Sequence, residues 1–307
     1  MKRLIAIVGP TAMGKSRLAL GLARALDAEI VNADSRQVYR YMDIGTAKPG
    51  LQERSSVPHH LIDIVDPDVP FSLALYQSLA YAAIEDILRR GKQPLLVGGS
   101  GLYVWSVIEN WRIPRVPPDP RFRRQMEELA ATEGAESLYR RLQELDPEAA
   151  RNIDLRNVRR VIRALEVCQA TGAPFSEIKT KQGLPFDTLI IGLTCRRDHL
   201  YQRIDARVDN MIQQGLVDEV RGLMERGYGF DLPAMSSVGY RQVGKFLLGE
   251  TDLATAVQQI KFETHRFARH QYAWFRLTDK RVYWIDTDEE DAAEKSSMLI
   301  TEGTRKR

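Results

Sequence analysis

At 307 residues with 44% apolar side chains, the chain can bury a core as one large domain or two modest ones, so it needs no metal or disulfide staple to fold. Its two cysteines, Cys168 and Cys195, are too few and too isolated for a disulfide framework or a thiolate metal centre, which points to a reducing, cytoplasmic setting with both in the core. A net charge of +3 does not by itself imply a nucleic-acid partner, and the short lead into the first strand and the lack of any long apolar run leave no signal peptide or membrane span expected.

In chain order, periodicity predicts a strand over 3–8, a helix over 15–26, a strand over 29–33, a loop to about 70, a helix over 72–90, a strand over 94–97 and a helix over 101–108. Such alternation means an α/β fold with a parallel, helix-flanked sheet. The stretch Ile113-Pro114-Arg115-Val116-Pro117-Pro118-Asp119-Pro120 then reads as a connector, and the segment after it is helical without a clear strand. The predicted domains are therefore a first core segment at 1–113, an inserted helical domain at 114–186 and a second core segment at 187–307. The last opens with a buried strand over 189–194 and a helix rich in arginine, Arg196, Arg197, Arg203 and Arg207 among them. Helices near 209–226, 236–248, 252–259 and 260–275, a strand over 281–285 and a polar, frayed tail complete the pattern.

The first strand runs into Gly9-Pro10-Thr11-Ala12-Met13-Gly14-Lys15-Ser16, which fits the G-x-x-x-x-G-K-[ST] phosphate loop at every fixed position. Small residues there let successive backbone N–H groups face a polyphosphate, the next helix offers its positive end, and Lys15 adds a mobile charge. Ser16 is the residue that would reach a Mg²⁺ held by the phosphates.

Asp34 ends the second strand, on the sheet edge that also carries the phosphate loop and where open parallel sheets bind ligands. A carboxylate there can hold a metal, take a proton or cap a turn, and its position alone does not choose. The third strand ends in Gly98-Gly99-Ser100-Gly101 where an ATPase or GTPase often places a metal-ordering Asp. Glycines at that point let a ligand or another backbone come close.

Taken together, the phosphate loop, Asp34-Ser35-Arg36-Gln37-Val38-Tyr39, Met42-Asp43-Ile44-Gly45-Thr46-Ala47-Lys48-Pro49, Pro58-His59-His60-Leu61, Gly98-Gly99-Ser100-Gly101-Leu102-Tyr103, Arg163-Ala164-Leu165-Glu166-Val167 and Val238-Gly239-Tyr240-Arg241-Gln242 stand in the order found in the tRNA dimethylallyltransferases. The chain resembles that family from about residue 4 to 285. The resemblance implies a P-loop NTPase-like α/β fold with an inserted helical domain. It also implies a reaction, the transfer of a dimethylallyl group from dimethylallyl diphosphate to N6 of the adenosine 3′ to the anticodon.

On that resemblance Gly9 to Ser16 would cradle the donor's diphosphate with Arg221, Mg²⁺ would sit at Ser16, and Asp34 would take the N6 proton. Contacts to the tRNA anticodon stem-loop are implied for Asp34, Ser35, Arg36 and Gln37, for Ser100 and Arg123, and for Arg159, Arg160, Val161, Ile162 and Arg163. They are implied likewise for Ser237, Val238, Gly239, Tyr240, Arg241 and Gln242, and for His270, Gln271, Tyr272, Ala273, Trp274, Phe275, Arg276 and Leu277. Arginines suit phosphates or stacking, and Gln37 or Gln271 suits base edges. Read on their own, Trp274 belongs to the core, while Tyr240 and Tyr272 fit core or stacking equally.

Three positions depart from the family pattern. Met13 is larger than usual, Ser100 stands where Thr is common, and His270 replaces the basic residue before Gln271, which removes a fixed charge. His59 and His60, without a matching acid or thiol pattern, read as structural. The chain is expected to act as a monomer. A small-molecule kinase and a non-enzymatic RNA-binding regulator are the rival readings; the missing acid after the third strand opposes the first, the intact loop with Asp34 the second.

Overall fold

The apolar runs become the six strands of one parallel sheet in a computed structural model that describes residues 3–114, 116–178 and 185–305. In chain order the strands are β1 (Arg3–Val8), β2 (Ala28–Asn32), β3 (His59–His60), β4 (Gln93–Val97), β5 (Asp187–Thr194) and β6 (Val282–Asp286). Their spatial order is β3-β2-β4-β1-β5-β6, with Ile5 of β1 opposite Leu95 on one side and Leu189 on the other. Leu4 to Val8 are fully buried, as a central strand covered by helices on both faces requires. β3 escapes the periodicity because it is two residues long. His59 is bound to the Val57 carbonyl and His60 to Glu29, in keeping with structural roles.

The helices α1 (Lys15–Ala25), α2 (Leu51–Ser56), α3 (Leu73–Arg89) and α4 (Gly101–Ile108) accompany the first four strands. The chain divides into two compact units, one of residues 1–108 and 185–307 and one of residues 109–184.

The second unit contains α5 (Pro120–Glu133), α6 (Ala135–Leu145), α7 (Pro147–Asn152), α8 (Val158–Thr171) and α9 (Phe175–Ile178). Asp119 caps α5 ahead of a proline at its first position, and Leu138, Leu142, Ile153, Val161, Ile162 and Leu165 share its core. Glu166 is buried there and accepts hydrogen bonds from the Asp119 N–H, both ends of the Arg123 fork and Arg163. Burial alone would raise its proton affinity, yet those donors hold it below the usual carboxylate range. Arg115 and residues 179–184 of the predicted insert lie outside the described residues.

After β5 come α10 (Arg197–Gln213), α11 (Leu216–Glu225), α12 (Tyr240–Leu247), α13 (Leu253–Trp274) and, after β6, α14 (Ala292–Arg305). Three expectations change here. The predicted 209–226 helix is broken at Gly215, whose φ of 98° ends one helix and opens the next. The 252–259 and 260–275 helices are one 22-residue element, since no helix breaker separates them. The expected frayed tail is helical through Arg305, opened by Asp291 accepting from the Ala293 and Glu294 N–H groups. Cys168 and Cys195 are both buried and free. No helix among the described residues is long and apolar enough to cross a membrane.

Candidate active site

The phosphate loop joins the end of β1 to the start of α1, and its shape depends on backbone that side chains would forbid. Gly9 has φ 133°, and a Cβ there would stand 2.5 Å from the Leu193 carbonyl oxygen. Gly14, at φ 81°, opens α1, and Ala12 holds φ 63°, a left-handed value that costs free energy for any residue with a side chain. Lys15 curls back to donate to the Pro10 carbonyl at 2.7 Å. Its ammonium is pushed down to about 8, chiefly by burial and then by Arg207, with Asp34 pulling the other way.

Asp34 comes after β2 in a turn held at several points. Its N–H donates to Asn32 Oδ1 at 2.9 Å, and its own Oδ1 accepts the Arg36 N–H at 2.9 Å. The buried Asn32 amide also donates to the Asp34 and Leu61 carbonyls, each at 3.0 Å, so the strand end is fixed from below. Ser100 Oγ accepts the Ser35 N–H at 2.9 Å, which ties this turn to the glycine turn after β4. That contact needs only a hydroxyl, and Ser supplies it as Thr would.

One cavity of about 510 Å³ brings several of these parts together; of Gly9 to Ser16, Thr11 is the residue that lines it, and Lys15 and Ser16 are not among the lining residues. Thr11 of the phosphate loop, Asp34 to Arg36, Gly99 to Tyr103, Arg207, Ser237 to Tyr240, and His270, Gln271 and Trp274 all line it. Val208, Met211, Ile260 and Phe267 give it an apolar side. The sequence does not single out Arg207, because one arginine on a basic helix reads as a solvated charge. The only available signal is its place on the helix after the fourth apolar run. Burial pushes its guanidinium down and Asp34 pushes it up.

The remaining residues expected at the donor site divide differently. Arg221 is not among the residues lining the cavity; it is exposed and paired with Asp218 one turn away on α11. Ser16 is exposed in the first turn of α1, and Met13 is buried against Cys195 with their sulfurs 3.4 Å apart. Among the described residues no three His, Cys, Asp or Glu side chains cluster to hold a metal. A Mg²⁺ that takes its ligands mainly from phosphate oxygens and water, with one hydroxyl from Ser16, fits that donor set; an ion needing an all-protein cage does not.

A carboxylate that the motifs do not mark holds one wall. Glu219 of α11 accepts the N–H groups of Asp43, Ile44 and Gly45 at 2.9, 2.7 and 3.1 Å and the Tyr240 hydroxyl at 2.6 Å. A Cβ on Gly45 would enter the Tyr240 ring at 2.5 Å. Gln37 donates from the neighbouring turn to the Thr46 and Ala47 carbonyls, and Arg36 donates to the Pro233 carbonyl at 2.7 Å.

The expected RNA contacts separate by burial. Arg159, Arg160, Arg241, His270, Ala273, Arg276 and Leu277 are exposed. Val161 and Ile162 sit in the core of the second unit, facing inward by helical periodicity, and Phe275 and Tyr240 are fully buried. Gln242 is buried with its carbonyl on the Gly239 N–H, and Gln271 is buried as well. Arg123 and Arg163 are both engaged by Glu166. Tyr272 is half-buried with its hydroxyl on Thr194. Trp274, expected in the core, is 41% exposed because the end of α13 lays it along the open side of Gly101.

The chain is similar to known proteins over most of its length. The family model described as IPP transferase matches residues 37–278. The tRNA dimethylallyltransferase of Roseiflexus castenholzii is 54% identical over 297 residues, 97% of each chain. That of Dehalococcoides mccartyi is 51% identical over 286 residues, 93% of this chain and 88% of the other. Among solved structures, the full-length tRNA isopentenylpyrophosphate transferase of Bacillus halodurans superposes with a TM-score of 0.72 at 41% identity, covering 97% of this chain and 94% of that one. A eukaryotic dimethylallyltransferase acting on tRNA reaches a TM-score of 0.84 at 28% identity, over all of this chain and 80% of the other. With a phosphate loop, a strand-end carboxylate and a glycine turn on one edge of a P-loop NTPase-like sheet, and relatives alike over nearly their whole length, this chain belongs to the tRNA dimethylallyltransferase family.

Proposed function

We propose that the cavity takes dimethylallyl diphosphate and transfers its prenyl group to N6 of the adenosine 3′ to the anticodon of a tRNA, releasing diphosphate. The observation that carries this reading is the meeting of Thr11, Asp34 and Arg207 in one cavity with an apolar side. The phosphate loop and Lys15 would hold the diphosphate, with Arg207 in the role that the family resemblance gives to Arg221. Val208, Met211, Ile260 and Phe267 would receive the prenyl group.

As the allylic C–O bond breaks, its electron pair leaves with the diphosphate, where Lys15, Arg207 and the loop N–H groups oppose the developing charge. Ser16 would hold a Mg²⁺, whose contribution is to neutralise part of that charge. The adenine amine is a poor nucleophile because its lone pair is conjugated with the ring. A base that removes its proton as the C–N bond forms therefore lowers the barrier. Asp34 suits this task, since its turn is held by hydrogen bonds and the Arg36 N–H engages only one of its oxygens among the described residues. An adenine stacked in the anticodon loop must be extruded to reach that carboxylate. The exposed Arg159, Arg160, Arg241 and Arg276 supply charge for RNA phosphates.

The test is transfer of labelled dimethylallyl from its diphosphate, with Mg²⁺, to an unmodified tRNA and to one carrying guanosine at the target position. Label on the adenosine-bearing tRNA alone supports the reading. No label on either, with ATP turnover driven by a small metabolite, would replace it with the kinase.

A further inference from the structure

Gln271 lies one turn before the end of α13, only 4% exposed, and uses both ends of its amide inside the protein. Its Oε1 accepts the Thr11 N–H at 2.8 Å, and its Nε2 donates to the Gly99 carbonyl at 2.9 Å. One side chain thus ties the phosphate loop after β1 to the glycine turn after β4. Gly99 is shaped to this contact: a Cβ there would lie 2.3 Å from Gln271 Nε2 and 3.2 Å from the Gly9 carbonyl oxygen. The same helix end also holds the turn after β4 through its last residue. A Cβ on Gly101 would lie 2.2 Å from Trp274 Cγ, and Trp105 Nε1 donates to the Trp274 carbonyl at 3.0 Å.

The phosphate loop needs such a hold from outside. Ala12, next to Thr11, keeps a left-handed φ of 63°, a conformation that persists only where its surroundings impose it. Among the described residues, Thr11 is the loop residue whose backbone N–H is taken by a side chain. A buried amide with a backbone partner at each end is poorly placed to read a base. Its lack of negative charge suits a neighbour of an anion.

We propose that Gln271 is a positioning residue of the donor site, which sets the Thr11 segment of the phosphate loop for the diphosphate and does not read RNA. This rests on the reading that the loop binds the donor's diphosphate. Gln271→Met keeps the bulk and removes both hydrogen bonds. Gly99→Ala pushes on the amide nitrogen of Gln271 without changing that residue. Gln271→Glu keeps an acceptor for Thr11 but brings negative charge to the loop.

The experiment measures binding of inorganic diphosphate with Mg²⁺ by calorimetry, and of an unmodified anticodon stem-loop RNA by fluorescence anisotropy, on the full chain. Gln271→Met and Gly99→Ala should each weaken diphosphate about five- to tenfold, the loss of roughly one net hydrogen bond. Combined, they should weaken it by less than the product of the two, because they share the Gln271 contact although Gly99→Ala also presses on the Gly9 carbonyl. Gln271→Glu should weaken it more than either. RNA affinity should stay within about twofold throughout, and in turnover the donor KM should rise with little change in kcat. Unchanged diphosphate affinity in Gln271→Met with weakened RNA binding would overturn the proposal in favour of an RNA-reading Gln271. Should that variant not fold, unchanged diphosphate affinity in Gly99→Ala overturns it equally. If the wild-type chain binds no diphosphate, the donor-site reading itself fails, an outcome distinct from both.

Discussion

Arg207 shares its cavity with Asp34; burial lowers the guanidinium's proton affinity, and the carboxylate only partly offsets that. Arg221 stands elsewhere, bound to Asp218 on its own helix. Two arginines that sequence spacing cannot rank therefore differ in what they can do. In the proposed reaction Arg207 would stand where the leaving group gathers charge and act on the transition state, whereas an exposed ion pair is worth little.

Substituting each in turn separates them. Arg207→Ala should lower kcat/KM for the donor by roughly 10²- to 10³-fold, while Arg221→Ala should change it by less than about threefold. Steady-state kinetics with donor varied at saturating RNA reads both. Equal losses would return Arg221 to the diphosphate.

Lys15 predicts the pH dependence of donor capture. Its ammonium, pushed down to about 8 by burial and Arg207, loses charge as pH rises through that value in the donor-free protein. The donor kcat/KM should therefore fall above about pH 8. At saturating donor the fall in kcat should move to higher pH, since the bound anion favours the charged form. Lys15→Arg keeps its charge to higher pH and should remove the fall in kcat/KM. A profile for that variant identical to wild type would assign the ionisation to another group.

The parts of the site that are legible in the sequence are local in the chain. The loop from Gly9 to Ser16 comes directly after a strand and opens a helix, and Asp34 lies in the turn just past the end of the next long strand, so motif and sheet edge suffice. Glu219 and Gln271 act through partners far away in sequence, at Asp43 to Gly45 and at Thr11 and Gly99. Periodicity cannot reveal such pairings. Val161 and Ile162 show the converse: they lie within a stretch aligned with RNA contacts, yet helical geometry turns them inward and leaves Arg159 and Arg160 outside. In the fold, β3 is too short for its pattern to register, whereas the long buried strands are evident from their unbroken apolar runs.

Glu219 should behave as a structural anchor of the cavity wall. Its two oxygens serve three backbone N–H groups and the Tyr240 hydroxyl, and the single carbonyl of an amide cannot. Glu219→Gln should cost about 2 kcal/mol in urea unfolding, through lost charge-assisted hydrogen bonds. It should also lower turnover, because Gly45, Thr46 and Tyr240 line the cavity. A variant with unchanged unfolding midpoint would show that the loop holds its shape without Glu219.

Glu29 gives the acid limb of stability. Hydrogen bonds from Arg90 outweigh its burial and, with His60, hold it down to about 2 from an ordinary 4.5. A carboxyl lowered by folding stabilises the native state fully above its unfolded value, and that stability is lost as pH falls from about 4.5 through 2. Glu29→Gln should be less stable than wild type near neutrality and lose less on acidification across that window. Urea midpoints at several pH values measure this, and parallel curves for the two proteins would contradict it.

The most direct test of the central claim is the single-turnover rate of prenyl transfer by Asp34→Asn with donor and unmodified tRNA both saturating. Loss of a positioned base predicts a fall of about 10²- to 10⁴-fold in that rate, with the affinities for donor and RNA largely retained. A rate close to wild type would remove Asp34 from the proton transfer and leave the cavity without its proposed base.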